Sequence, residues 1–127
     1  MLATRLLVPL YLVNATVLLV HQIDAAYWHE WELFGMRGGI QLNLLLNVPL
    51  VMLMLYGMQR VARRDAAGDR FSWLLAAAGF VAVVIHSYFL WQGDVAFRVP
   101  VSLGLLASTL LLSLAQAGAL FAARRHR

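Results

Sequence analysis

The sequence predicts an all-α fold, an integral membrane four-helix bundle with both termini in the cytoplasm. Three observations predict it. Of 127 residues, 62% are hydrophobic and only 13% charged, whereas soluble domains run nearer half apolar and a quarter charged. The apolar residues fall in four stretches, 6–28, 40–58, 71–91 and 99–123, each near the roughly 20 residues that cross a bilayer. The arginines are lopsided: Arg5, Arg60, Arg63, Arg64, Arg70, Arg124, Arg125 and Arg127 fall on one side, Arg37 and Arg98 on the other. Basic residues mark the cytoplasmic side, so the protein is expected in a bacterial inner membrane as one domain over 1–127.

The elements follow in order. The first stretch carries only Arg5 before its apolar run, and Asp24-Ala25-Ala26 lacks a small-x-small cleavage pattern, so it is expected to stay as an anchor. Gly35 and Gly38-Gly39 mark the first connection. QRVARRDAAGDR, residues 59–70, is the polar second connection, and QGDVAFRVP, residues 92–100, the third. Pro100 suits a helix start, where its missing N–H costs least. Tyr27, Trp28, Trp31, Tyr88 and Trp91 would form one aromatic belt, Phe71 and Trp73 the other. There is no cysteine, which removes disulfide and thiolate chemistry. A net charge of +4 carried by arginines beside apolar runs fits lipid headgroups and not nucleic acid. The lipid bilayer is the expected partner; other membrane subunits or a second copy could join it.

The functional candidates gather in VHQIDAAYWHEWELFG, residues 20–35, which holds two of the four histidines and half of the six acids. His21 precedes Trp28 by seven residues and His86 precedes Trp91 by five, which puts both rings about 7–11 Å inside the belt at 1.5 Å per residue. Asn14 and Asp24 share a face of the first helix with His21; Asn43 and Asn47 lie one turn apart on the second. Gly79, Ala82 and His86 form a small-residue groove, and Ser102, Thr109, Ser113 and Gln116 a stripe. Lipid rejects such groups, so they are expected to face one polar pocket, with Asn43 and Asn47 lining it and HEWE as a rim whose tryptophans face lipid.

Imidazole and carboxylate from facing helices can hold a divalent transition metal. His21, Asp24 and His86 are the expected metal ligands, zinc the expected ion, and His29 a further ligand. Glu30 is the expected catalytic base or an extra ligand. Two other readings use the same residues: interhelical hydrogen bonding of His21 to Asn14 or Asn43 and of His86 to a serine, or a b-type haem with His21 and His86 as axial ligands. His126, in the basic tail, is expected to be solvated.

LVHQIDAAYWHEWELFG followed by GGIQLNLLLNVPLVMLMLYG resembles a group of small four-span bacterial membrane proteins of unknown function that carry His-x-x-Asp and then His-Glu-Trp. More distantly it is similar to membrane proteins with a His-x-x-Glu-Glu motif, where this chain reads His21-Gln22-Ile23-Asp24-Ala25. The resemblance implies four helices and a role for His21, Asp24, His29, Glu30 and His86. The expected function is thus a membrane-embedded metal-dependent protein, such as a hydrolase of lipid-like or other small substrates. The alternative is a non-enzymatic accessory or assembly subunit. A transporter has less behind it, because the polar residues sit in one half of the bundle.

Overall fold

The structure, a computed structural model, describes residues 2–125, with side chains from Arg5 onward. His126 and its solvated-tail expectation lie outside the described residues. The elements are α1 (Leu2–Tyr27), a single turn α2 (Glu30–Leu33), α3 (Gly39–Ala62), α4 (Ala66–Trp91) and α5 (Pro100–Arg125). Among the described residues there is no strand. The segments Arg5–Tyr27, Gly39–Ala62, Ala66–Trp91 and Pro100–Arg125 are long and apolar enough to cross a membrane.

The four long helices form a ring in which α1 lies between α5 and α3, and α4 between the same two. Contact is most extensive between α1 and α5 and much thinner between α1 and α3. The α3–α4 connection is shorter than the 59–70 loop expected from its polarity, because α3 runs on to Ala62 and α4 starts at Ala66. Charged side chains extend a helix readily once its end leaves the apolar zone. Asp65 caps α4 by accepting from Gly68 N at 2.9 Å, and its other oxygen pairs with Arg60 at 2.6 Å. A Cβ on Gly68 would lie 2.7 Å from the Arg60 carbonyl oxygen, so the tight hairpin needs glycine there.

Toward the arginine-rich end the core is apolar, with Leu7, Tyr11 and Leu18 of α1 packed on Met54, Val61, Leu75 and Leu120. Midway lies a polar layer. Asn14 Nδ2 donates to Gln116 Oε1 at 2.9 Å and to Ser113 Oγ at 3.3 Å. Gln116 Nε2 in turn donates to the Ser72 carbonyl at 3.1 Å. All of the Ser102, Thr109, Ser113 and Gln116 stripe is buried. Hydrogen bonds of this kind between membrane helices are worth about 0.6–2 kcal/mol each. Asn14 Nδ2 is spent on α5 and its Oδ1 meets no partner within the chain, so the alternative of an Asn14–His21 bond is not realised.

Gly79 lets α4 approach this layer: a Cβ there would sit 2.1 Å from Ser113 Oγ. Gly79→Ala is expected to cost about 1–3 kcal/mol through overpacking. Gly104→Ala has nothing within 4 Å of its new methyl and is expected to be neutral or to stabilise by up to about 1 kcal/mol. Thermal unfolding of the two variants in the same detergent checks the contrast.

Candidate functional site

At the end away from the termini, α1, α4 and two connections enclose a small group of polar atoms. His21 and His86, from α1 and α4, are 1% and 2% exposed. Their rings meet edge to face with centroids 4.5 Å apart. The expectation that both imidazoles turn inward at one level is therefore met. Phe97 closes the chamber, 1% exposed, with its ring 4.5 Å from His86 and 5.9 Å from His21.

The turn that delivers Phe97 is held locally. Asp94 Oδ1 accepts from Ala96 N at 2.8 Å, and Arg98 Nη2 donates to the Leu90 carbonyl at 3.2 Å. Phe97 itself has φ 63°, a conformation that bulky side chains rarely adopt and that costs about 1–3 kcal/mol. The packing of its ring against two imidazoles, Ala25 and Trp28 offsets that cost. Sequence periodicity carries no signal for such a plug, because Phe97 lies in a loop.

The other connection supplies Glu30. After Tyr27 the chain reverses at His29, which has φ 52°, and α2 folds back over the bundle end. Trp31 is thereby buried, 8% exposed, where the sequence placed it against lipid. The reversal separates the HEWE residues. Glu30 turns inward and its Oε1 comes within 3.4 Å of His86 Nε2. His29 and Glu32 turn outward and approach each other at 3.6 Å. His29 stacks on Trp31 and stands apart from the two buried imidazoles.

Asp24 anchors the chamber wall. Its Oδ1 accepts from Ser102 Oγ at 2.9 Å and from Trp28 Nε1 at 3.1 Å. The sequence offered a serine of the last helix as a partner for His86; Ser102 serves Asp24 instead. His86 Nδ1 lies 2.7 Å from the Ala82 carbonyl. A carbonyl only accepts, so Nδ1 carries a proton and Nε2 is the nitrogen left for Glu30. Three buried atoms here lack a hydrogen-bond partner within the chain: His21 Nδ1, Asp24 Oδ2 and His86 Nε2, the last held at ion-pair distance but poorly aligned.

Asn43 and Asn47 do not enter this chamber. They line a separate trough between α1 and α3, which they share with Gln22 and the outer side of Glu30. Asn47 Nδ2 donates back to the Asn43 carbonyl at 2.9 Å. The single pocket read from the sequence is thus two compartments, because α3 is splayed from α1 at this end and Glu30 stands between them.

Among the described residues no three His, Asp or Glu side chains are grouped so that they could hold one metal ion as they stand. A haem between His21 and His86 would need the rings on opposite faces of a macrocycle, whereas here they touch. Outside the four long apolar segments, Glu30 is a group whose ionisation the surroundings clearly change. Burial pushes its carboxyl above the ordinary glutamate range, with His86 opposing and Asp24 adding to the rise.

The model of a family of unknown function, DUF6713, covers residues 7–123. Neither a curated protein nor a solved structure matches the chain.

The Glu30 shift fixes a sign. Its folded carboxyl binds a proton at pH values where the unfolded one, near pH 4.3, has lost it. Stability contributed by this group is full at low pH and is lost as pH rises through the raised folded value. The unfolding temperature in detergent should therefore fall as pH climbs above about 4.3, and Glu30→Gln should flatten that fall. An equal slope in both proteins would assign the effect to another group.

Proposed function

We propose that this chain, which belongs to the DUF6713 family of unknown function, is a multi-pass membrane protein with an acid–base pair, Glu30 and His86, set just inside one face of the bilayer. One observation carries this reading: His86 Nδ1 is committed to the Ala82 carbonyl while Nε2 faces Glu30 Oε1 at 3.4 Å. The contact is at ion-pair distance and is not aligned as a hydrogen bond; a small rotation of the Glu30 carboxyl sets one proton between the two groups. Either the carboxyl holds it and can donate to the imidazole, or the imidazole holds it and faces a carboxylate. A pair able to exchange a proton in a water-poor setting suits general acid–base work on a small molecule, and Glu30 borders both the chamber and the trough. His21 and Phe97 keep His86 in place, and Asp24 ties α1 to α5 through Ser102.

A second reading has its own support. The three unpartnered atoms belong to His21, Asp24 and His86, the same three residues whose chemistry suits a divalent metal. Stoichiometric metal in protein purified without chelators, lost in His86→Ala, would favour this reading over proton exchange alone.

The arginine distribution supports an orientation with both termini in the cytoplasm and the chamber on the opposite side. The chain has no native cysteine, so single replacements report cleanly. Gly35→Cys should react with an impermeant maleimide added to intact cells, and Ala66→Cys only after lysis. The reverse pattern would invert the topology.

Infrared difference spectra of the reconstituted protein test the pair itself. A protonated-carboxyl band, followed as pH is lowered, should disappear in Glu30→Gln and should emerge at a different pH in His86→Leu. A band indifferent to His86 would remove the basis for the proposal.

A further inference from the structure

The acid–base pair is sealed. His86 Nε2 is buried on a ring that is 2% exposed, so no solute reaches it unless part of the wall moves. The walls differ in how they are held. The Asp24–Ser102 bond ties α1 to α5, and Gly79 sets α4 against Ser113. The turn that bears Phe97 is bonded back to α4. Asp94 N donates to the Phe89 carbonyl at 3.1 Å, and Arg98 Nη2 to the Leu90 carbonyl at 3.2 Å.

The segment 30–36, which contains α2, has no such tie. Glu32 N donates to the His29 carbonyl at 2.8 Å, Gly35 N to that of Glu32 at 3.0 Å and Met36 N to that of Trp31 at 2.8 Å. Among the described residues no hydrogen bond joins 30–36 to a long helix. Apolar contact and the unaligned approach of Glu30 to His86 hold it. Leu33 packs with Ala25, Ala96 and Phe97 in a cluster separate from the main core, and Phe34 meets Phe89 edge-on at 5.5 Å. Segments held by few contacts are the ones that open locally.

Both ends of the segment are places where the chain turns sharply. His29 has φ 52° and Gly35 φ 63°. Beneath it lies a cavity of about 180 Å³, with Glu30, Trp31 and Phe34 on one side and Gln22 and Asn43 on the other. Rotation about the two ends lifts Glu30 and Trp31 together and joins that cavity to His86.

We propose that α2 is a lid, hinged at His29 and Gly35, that opens to admit a small molecule to His86 and on closing brings Glu30 against it. The inference rests on the acid–base reading for its purpose: one member of the pair rides on the lid, so the pair is assembled only when water is shut out.

Diethylpyrocarbonate acting on the full chain in detergent tests the lid, with mass spectrometry reading each histidine. The reagent acylates an imidazole nitrogen that bears a lone pair, which on His86 is Nε2. His86 should react measurably but far more slowly than the exposed His29. Gly35→Ala adds a methyl with nothing within 4 Å, so it acts through the backbone alone. Alanine disfavours the left-handed conformation about 5–30-fold, and the His86 rate should rise by that factor. Phe34→Cys with Phe89→Cys, bridged by a short bis-thiosulfonate linker, should slow His86 and leave His29 unchanged, and reducing the linker should restore the rate. Leu120→Ala, which loosens the core at the other end of the bundle, should leave the His86 rate as it is. A His86 as fast as His29, a His86 that never reacts, a rate indifferent to the linker, or an equal rise in Leu120→Ala would each overturn the lid. If His86 reactivity follows the lid while the Glu30 carboxyl band ignores His86, the acid–base reading alone fails.

Discussion

A polar atom carried by an apolar helix must be met by another polar atom, and in this protein that constraint sets the rotation of three of the four long helices. Asn14 on α1 reaches Ser113 and Gln116 on α5, and Gln116 reaches the α4 backbone at Ser72. One turn of α1 above His21, Asp24 reaches Ser102 of α5. With both layers joined, α1 cannot turn about its axis without stranding buried amides and a carboxylate. His21 is carried inward by the same rotation, and its ring meets His86 because α4 is fixed from the other side by Gly79 against Ser113. The chamber is thus a consequence of the polar layer below it.

The fourth long helix escapes that constraint, and the difference shapes the site. In α3 only Met54, Gly57 and Val61 are buried, and all three lie in its second half. Tyr11 holds that half to α1 by donating to the Met54 carbonyl at 3.0 Å. Toward its start α3 bears Asn43 and Asn47, which bond each other and not α1. The helix therefore leans away from α1 at the chamber end, and the trough opens beside Glu30. A tight helix seam at one end and a splayed one at the other put a buried imidazole within reach of a cavity that faces sideways.

Much of this was legible from residue spacing and part was not. Periodicity shows which residues share a helix face, so the Ser102–Gln116 stripe, the glycine groove of α4 and the inward histidines could be read. Spacing does not show which faces meet, and Ser102 accordingly binds Asp24 and not His86. It is silent on reversals outside helices. His29 and Phe97 both take positive φ, and those two residues decide that Glu30 and Trp31 turn in, that His29 and Glu32 turn out, and that an aromatic ring seals the imidazoles. No hydrophobic pattern encodes a left-handed residue at a non-glycine position. The α3–α4 connection is shorter than its charge predicts because Asp65 and Arg60 stabilise the helix ends they sit on.

Glu30 lying against His86 beneath α2 is the contact on which the chemistry of the chamber depends. Solid-state NMR in lipid, with the His86 ring labelled with ¹⁵N and the glutamate carboxyls with ¹³C, measures that contact directly. Strong dipolar coupling between Nε2 and one of the two glutamate carboxyls is expected from an oxygen 3.4 Å from that nitrogen, and it should vanish in Glu30→Gln labelled only at the remaining glutamate. Coupling to neither carboxyl, with both carrying the shifts of solvated carboxylates, would contradict the account.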